Sequence, residues 1–407
     1  MKNKQALIFI VVNIIVAFLG FVRSFAFMKF FDFTELGTIT MVSTAASFIG
    51  LFQLGLINGG YRLIALGENN SDNKVNNVIF SYFGCLFCML IGISLLIKLL
   101  GYYDDLLVIS VSLIMGLCML VTNWLTNSLI GALEYRKLNL ANGISAFASI
   151  LCLILAYLFG LYGALMSLLI QPLLFVILVF LLYRKAVPKR FILDFSYIRY
   201  ILSFGFIPFL SGIFVLLHMQ IERWSIITFL GEEQLGRLYI VFLLVTLWSL
   251  IPASINSLYF PRSISSAKDG VNSNLLAIIR QYFFVILSYC MVGGIGVILL
   301  IDPIVSYIFP AHVGSVIFVY TIVPGLIFKI LGDPITLLLN SIVKLKPIFH
   351  SDLISIIIYI VMVIMLVAYK NFTLQNILYC YVIYNFVRFI YLLVVYMLIS
   401  PKKLIAT

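Results

Sequence analysis

The chain has 407 residues, 63% hydrophobic and only 10% charged, with a formal net charge of +11 and a mean hydropathy of +1.17. A water-soluble globule could not cover its surface with so few polar groups, so a soluble enzyme or binding domain is excluded and the chain belongs in a bilayer. Its long continuous apolar runs also exclude a membrane barrel, whose short strands alternate lipid-facing and lumen-facing residues.

At roughly 20 apolar residues per helical crossing, the sequence predicts an all-α polytopic membrane protein of about twelve transmembrane helices. They fall near residues 6–27, 37–60, 77–100, 106–131, 141–160, 162–183, 201–229, 237–259, 278–301, 313–342, 352–369 and 374–399. Lys2 and Lys4 precede the first run as in a signal peptide, but no small-x-small cleavage site closes it and apolar sequence resumes after Arg23-Ser24. It reads as the first crossing. The loop that follows, Phe30-Phe31-Asp32-Phe33-Thr34-Glu35-Leu36-Gly37, recurs as Phe229-Leu230-Gly231-Glu232-Glu233-Gln234-Leu235-Gly236, with Leu36 and Leu235 199 residues apart. Each copy is a short acidic loop between apolar helices, closed by Leu-Gly. Duplication of half of an apolar chain points to a transporter whose substrate site lies between repeats. The expected architecture is two six-helix lobes related by a pseudo-two-fold axis along the membrane normal. Residues 1–186 form the amino-terminal lobe, 187–200 a cytoplasmic basic linker and 201–407 the carboxy-terminal lobe.

Lysine and arginine set the orientation. One set of loops holds Lys2, Lys4, Arg62, Lys74, Arg136, Lys137, Arg184, Lys185, Lys189, Arg190, Arg199, Arg262, Lys268, Arg280, Lys344, Lys346, Lys402 and Lys403, and the other has little beyond Lys29, Lys98, Arg237 and Lys370. By the positive-inside rule the basic set and both termini are cytoplasmic. The net charge is therefore mainly topology rather than a nucleic-acid footprint, with a contribution to anionic lipid headgroups also open. The longest polar connections, 61–76, 184–200 and 260–277, are too short for a soluble domain. Phosphate-loop, zinc-protease and serine-hydrolase motifs are missing from the sequence, so a non-enzyme without a cofactor or metal is expected. The six cysteines all sit in predicted crossings, and Cys85 and Cys88, one turn apart without flanking His or Asp, read as packing.

Several short patterns carry a family resemblance. Arg23 late in the first crossing, Glu35-Leu36-Gly37 in the outer loop, and Leu54-Gly55 and Gly59-Gly60-Tyr61-Arg62 at the inner end of the second form one group. Gly205 and Pro208, Glu222-Arg223, Leu235-Gly236-Arg237-Leu238-Tyr239, Pro252 and Phe260-Pro261-Arg262 form another in the second half, and Gly160-Leu161-Tyr162-Gly163-Ala164 a third. Together they resemble the polysaccharide transporter family, the O-antigen and capsule repeat-unit flippases of the multidrug/oligosaccharidyl-lipid/polysaccharide exporter superfamily. The family more often has a tighter Gly-x-Pro in the seventh helix and Asp where Glu222 stands. The resemblance implies a central cavity lined by helices 1, 2, 7 and 8. It also implies movement of undecaprenyl-diphosphate-linked oligosaccharide from the inner to the outer leaflet of the bacterial inner membrane. Its implied partners are that lipid-linked oligosaccharide, membrane lipids, and a polysaccharide polymerase and chain-length regulator of lipopolysaccharide synthesis.

A charge near the bilayer centre costs about 2.5–3.5 kcal/mol on insertion scales, so each intramembrane charge needs a cavity, a partner or a function. The candidates are Arg23, Glu222, Arg223, Lys329, Asp333 and Arg388. The 199-residue offset places Arg23 opposite Glu222 and one step from Arg223. Two guanidiniums at equivalent depths suit a diphosphate, which a planar fork grips through paired hydrogen bonds; the alternatives are snorkelling of Arg23 and a structural Glu222–Arg223 pair. Arg388, mid-span, reads as a cavity group or a helix tether. Lys329 and Asp333 are spaced for an i,i+4 pair beside Gly332 and Pro334, as gate or structural pair. His218 offers proton coupling or a hydrogen bond to a neighbouring helix. Arg23, Arg223, Arg388 and Lys329 are thus the substrate candidates, and Glu222, Asp333 and His218 the candidates for gating or for proton or sodium coupling. A drug or metabolite exporter is disfavoured by the cationic set, and a polysaccharide polymerase or acyltransferase by the minimal outer loops.

Overall fold

The computed structural model describes residues 2–65, 73–99, 106–267, 271–342 and 344–399. Lys268, Lys402 and Lys403 of the predicted basic set, and part of the 61–76 loop, lie outside the described residues. The helices are α1 (Lys2–Phe30), α2 (Phe33–Ile49), α3 (Leu56–Ala65), α4 (Lys74–Leu99), α5 (Leu106–Gly131), α6 (Tyr135–Leu151), α7 (Leu153–Leu182) and α8 (Phe195–Leu230). They continue as α9 (Glu232–Arg237), α10 (Tyr239–Ser266), α11 (Ser273–Ile308), α12 (Val316–Leu331), α13 (Asp333–Ser341), α14 (Lys346–Ala368) and α15 (Leu374–Ile399). Among the described residues there is no strand.

Eleven described helical segments are long and apolar enough to cross a membrane. A twelfth follows from a break inside α7. Gly160 has φ 58° and ψ −137°, and a Cβ on Gly163 would lie 1.9 Å from the Leu155 carbonyl oxygen. A backbone this close and this twisted needs glycine at both places. The chain turns back there, so the start of α7 completes the crossing begun by α6 and residues 161–182 form the next. Large apolar side chains such as Met291, Val292, Ile295 and Leu299 of α11 stay exposed, a surface suited to lipid.

The duplicated loop keeps its buried end and varies its cap. Leu36-Gly37 and Leu235-Gly236 are both buried. In the first copy Asp32 Oδ1 accepts from the Glu35 amide at 2.8 Å and Glu35 Oε2 from the Asp32 amide at 3.2 Å, a reciprocal cap on α2. In the second, Gly231 at φ +90° ends α8, and Arg237 pairs with Glu233 at 2.9 Å.

The break between α2 and α3, at Leu54 and Gly55, is where the start of α8 packs. A Cβ on Gly205 would sit 2.0 Å from the Gly55 carbonyl oxygen and 2.5 Å from the Gly59 amide nitrogen. Gly55, Gly59 and Gly205 thus let two backbones touch, in the small-residue pattern of membrane helix contacts. The chain forms two compact units, Met1–Leu216 and Leu217–Thr407, so the division falls within α8 and beyond the 187–200 segment. In the first unit Trp124, Leu120, Leu125 and Phe175 are buried at the centre of a packed cluster. In the second, Tyr282 and Tyr359 are among the largest buried side chains.

Candidate functional site

In the first unit, α1 carries Arg23 into a cavity of about 230 Å³ bordered by α5, α6 and α7. Arg23 Nη1 donates to Gln171 Oε1 at 3.0 Å. Gln171 lies ten residues from Leu161 and eleven from Leu182, about 15 Å from either end of that crossing at the helical rise. The guanidinium is therefore turned across the lobe at mid-depth, which departs from the snorkelling geometry. Thr122, Asn142, Ser145 and Gln171 supply neutral polar groups, and Met115, Met119, Leu168 and Phe175 the apolar wall. Among the described lining residues Arg23 alone is charged. Such a cavity accepts an anion with hydrogen-bonding neighbours, because a guanidinium in a low-dielectric space attracts anionic oxygens far more strongly than in water. Sequence reasoning named Arg23 and missed Asn142 and Gln171, the amide side chains within otherwise apolar crossings.

In the second unit, His218 and Glu222 lie one turn apart on α8 and are both buried. The His218 ring stacks on Tyr384 of α15 with centroids 4.1 Å apart and planes 6° apart, and meets Tyr359 of α14 edge-on at 4.8 Å. Tyr381 lies 5.2 Å away. His218 Nε2, Glu222 Oε1 and the Tyr359 hydroxyl have no hydrogen-bond partner among the described residues. Buried polar atoms in that state are costly. Arg223, next along α8, lies 4.6 Å over the Phe242 ring of α10, a cation–π contact.

Lys329, near the end of α12, and Asp333, at the start of α13, flank the break at Gly332. Arg388 of α15 donates from Nε to Asp352 Oδ1 of α14 at 2.6 Å. That contact is the helix-tether geometry of the two open for Arg388, and Asp352, absent from the sequence candidates, is its other half. Of these charged side chains Glu222 and Asp352 are buried, and Asp352 is held in an ion pair with Arg388.

No protein-family profile matches the chain, and no curated protein matches it. Solved structures do. A multidrug resistance MATE family transporter of the MOP superfamily, in its inward-facing conformation, superposes with a TM-score of 0.75 at 15% identity, over 95% of each chain. The lipid II flippase MurJ in an inward closed conformation gives 0.66 at 15% identity, over 96% of this chain and 87% of that one. The chain has the MOP-transporter fold. A MOP superfamily transporter from Pyrococcus furiosus, described as having a binding pocket of reversed polarity, gives 0.63 at 16% identity over 99% of this chain and 97% of that one. The twelve crossings and the two-lobed division read from the sequence accord with that fold, and the chain is a multi-pass membrane protein.

Proposed function

We propose that the protein is a flippase for undecaprenyl-diphosphate-linked oligosaccharide repeat units, of O-antigen or a related surface polysaccharide. It carries them from the cytoplasmic to the periplasmic leaflet of the bacterial inner membrane by alternating access of its two lobes. The observation that carries this reading is the mid-depth Arg23 in a cavity whose other described lining residues are neutral. A diphosphate with attached sugars matches that lining: anionic oxygens for the guanidinium, hydroxyls for Asn142, Ser145 and Gln171. In this reading Arg23 holds the diphosphate, and Arg223 is a further candidate for that role. Glu222, His218 and the Lys329–Asp333 break serve coupling or gating, and Arg388 with Asp352 holds α15 to α14. The sharing of a fold with a lipid II flippase supports the substrate class without deciding it.

The multidrug transporter's TM-score of 0.75 favours a second reading, an ion-coupled exporter of drugs or metabolites. Cationic drugs call for an acidic cavity, which is the reverse of the one around Arg23. The two readings separate in a flippase-deleted strain complemented with Arg23 variants at matched membrane levels. Arg23→Ala is expected to abolish surface polysaccharide and Arg23→Lys to restore it partly, since an ammonium keeps the charge and loses the two-pronged contact. Full surface polymer from Arg23→Ala would remove the basis of the proposal.

A further inference from the structure

The 184–195 segment between α7 and α8 is held along the side of α4 by a ladder of polar side chains. Asn73 Nδ2 donates to the carbonyls of Lys185 and Val187, at 2.6 and 3.1 Å. Asn77 Oδ1 accepts from the Lys189 amide at 2.7 Å, and Ser81 Oγ from the Ile192 amide at 2.8 Å. Asn76 fixes the ladder from behind, donating to Asn73 Oδ1 at 2.6 Å and accepting from Trp124 Nε1 at 3.1 Å. Between residues 73 and 81, α4 rises about 12 Å, so the segment runs that far along the helix and into the membrane-spanning part of the molecule. Phe191 reaches further, its ring 3.7 Å from where a Cβ on Gly84 would stand.

Chemistry changes with depth along this strap. Arg184, Lys185, Lys189 and Arg190, at its start and middle, are exposed. Beyond them, residues 191–194 lead into α8; Ile192 packs against the core, while Phe191 and Leu193 remain 68% and 40% exposed. The acid of the region, Asp194, is committed: it pairs with Lys74 at 3.0 Å and accepts from the Tyr197 amide at 3.0 Å. Lys189 and Arg190 stand beside Asn77 near the start of α4, with Phe191 deeper beside Gly84 and Leu193 exposed near it, along the flank of a membrane helix. An acidic soluble protein would satisfy the cations and leave these apolar side chains in lipid. A phospholipid supplies an anionic phosphodiester and acyl chains in that vertical order.

We propose that this strap is a binding site for an anionic phospholipid of the leaflet it borders. Arg184, Lys185, Lys189 and Arg190 hold the headgroup, and Phe191 and Leu193 pack on its acyl chains. Because the ladder fixes the backbone beforehand, binding does not have to order a loose loop, and that raises affinity.

The test uses the purified full-length protein, stripped of lipid in detergent and titrated with phosphatidylglycerol or phosphatidylcholine of identical chains, with binding read by native mass spectrometry. The wild type should prefer phosphatidylglycerol by about tenfold or more, since each basic residue near an anionic headgroup contributes substantially. Replacing all four cations by glutamine should erase that preference while leaving the asparagine ladder intact. Phe191→Ala with Leu193→Ala should weaken both lipids and keep the preference, which guards against misreading a quadruple variant that inserts poorly. Equal binding of the two lipids by the wild type would overturn the proposal, as would an undiminished preference in the quadruple variant; the cations would then serve topology alone. No transport enters the assay, so its result stands apart from the proposed activity.

Discussion

Arg388 tests how far the buried charges of the second unit are structural. Its Nε lies 2.6 Å from Asp352 Oδ1, with side-chain exposures of 14% and 2%. Changing Arg388 to Gln leaves the buried Asp352 carboxyl without its cation, and takes from Asp333 one of the two cations acting on it, the other being Lys329. Breaking a buried pair by removing one partner typically costs about 3–5 kcal/mol, most of it the stranded charge. Changing Asp352 to Asn instead leaves Arg388 with Asp333 still acting on it and with some solvent access, so that variant should sit at or below about 3 kcal/mol. The double variant strands neither charge and should recover much of the loss, giving a strongly non-additive cycle. The assay is the midpoint of heat-induced loss of monodisperse protein in detergent, compared across wild type, both singles and the double. An Arg388→Gln protein as heat-stable as wild type yet inactive in polysaccharide export would refute the tether and return Arg388 to the substrate path.

Two further outcomes follow from the strap and the loops. Hydrogen bonds from Ser196 and the Tyr197 amide, with Lys74 beside it, hold the Asp194 carboxyl well below the usual carboxylate range. A group whose folded pKa is depressed contributes stability above its unfolded pKa of about 4 and loses it as pH falls through the folded value. Proteolytic cutting in the strap should therefore stay constant from pH 8 to about 5 and increase only in stronger acid, whereas Asp194→Asn should be cut faster already at pH 7. Reporter fusions within 184–200 and after Lys403 should report cytoplasm and one at 231–236 periplasm; a cytoplasmic signal at 231–236 would break the twelve-crossing count.

Much of the fold was legible because lipid simplifies the pattern. Apolar runs mark crossings directly, and the Leu-Gly pairs mark equivalent points because both are buried where a loop enters its lobe. The glycine motifs were legible as positions before their reason was visible: Gly55, Gly59 and Gly205 are where backbones meet, and Gly160 and Gly163 make a hairpin. The site was harder to read. Asp352 opens a predicted crossing and looked like its polar edge, and no periodicity links it to Arg388, 36 residues on. Gln171 and Asn142 were passed over because amides carry no charge to flag them, although a helix in lipid seldom holds one without a partner. The 187–200 segment read as a bare linker, yet the spacing of Asn73, Asn76 and Asn77 on one face of α4 was its signature.

The central claim is that the protein moves an anionic lipid-linked oligosaccharide. It is met most directly by reconstituting the purified protein in liposomes that carry a fluorescent undecaprenyl-diphosphate oligosaccharide, and measuring access of an added glycosidase to the inner-leaflet pool. Loss of leaflet protection with wild type, and its retention with Arg23→Ala, is the result expected. Unchanged protection with wild type, in vesicles where the same protein drives efflux of a cationic dye, would contradict the account and leave the exporter reading in its place.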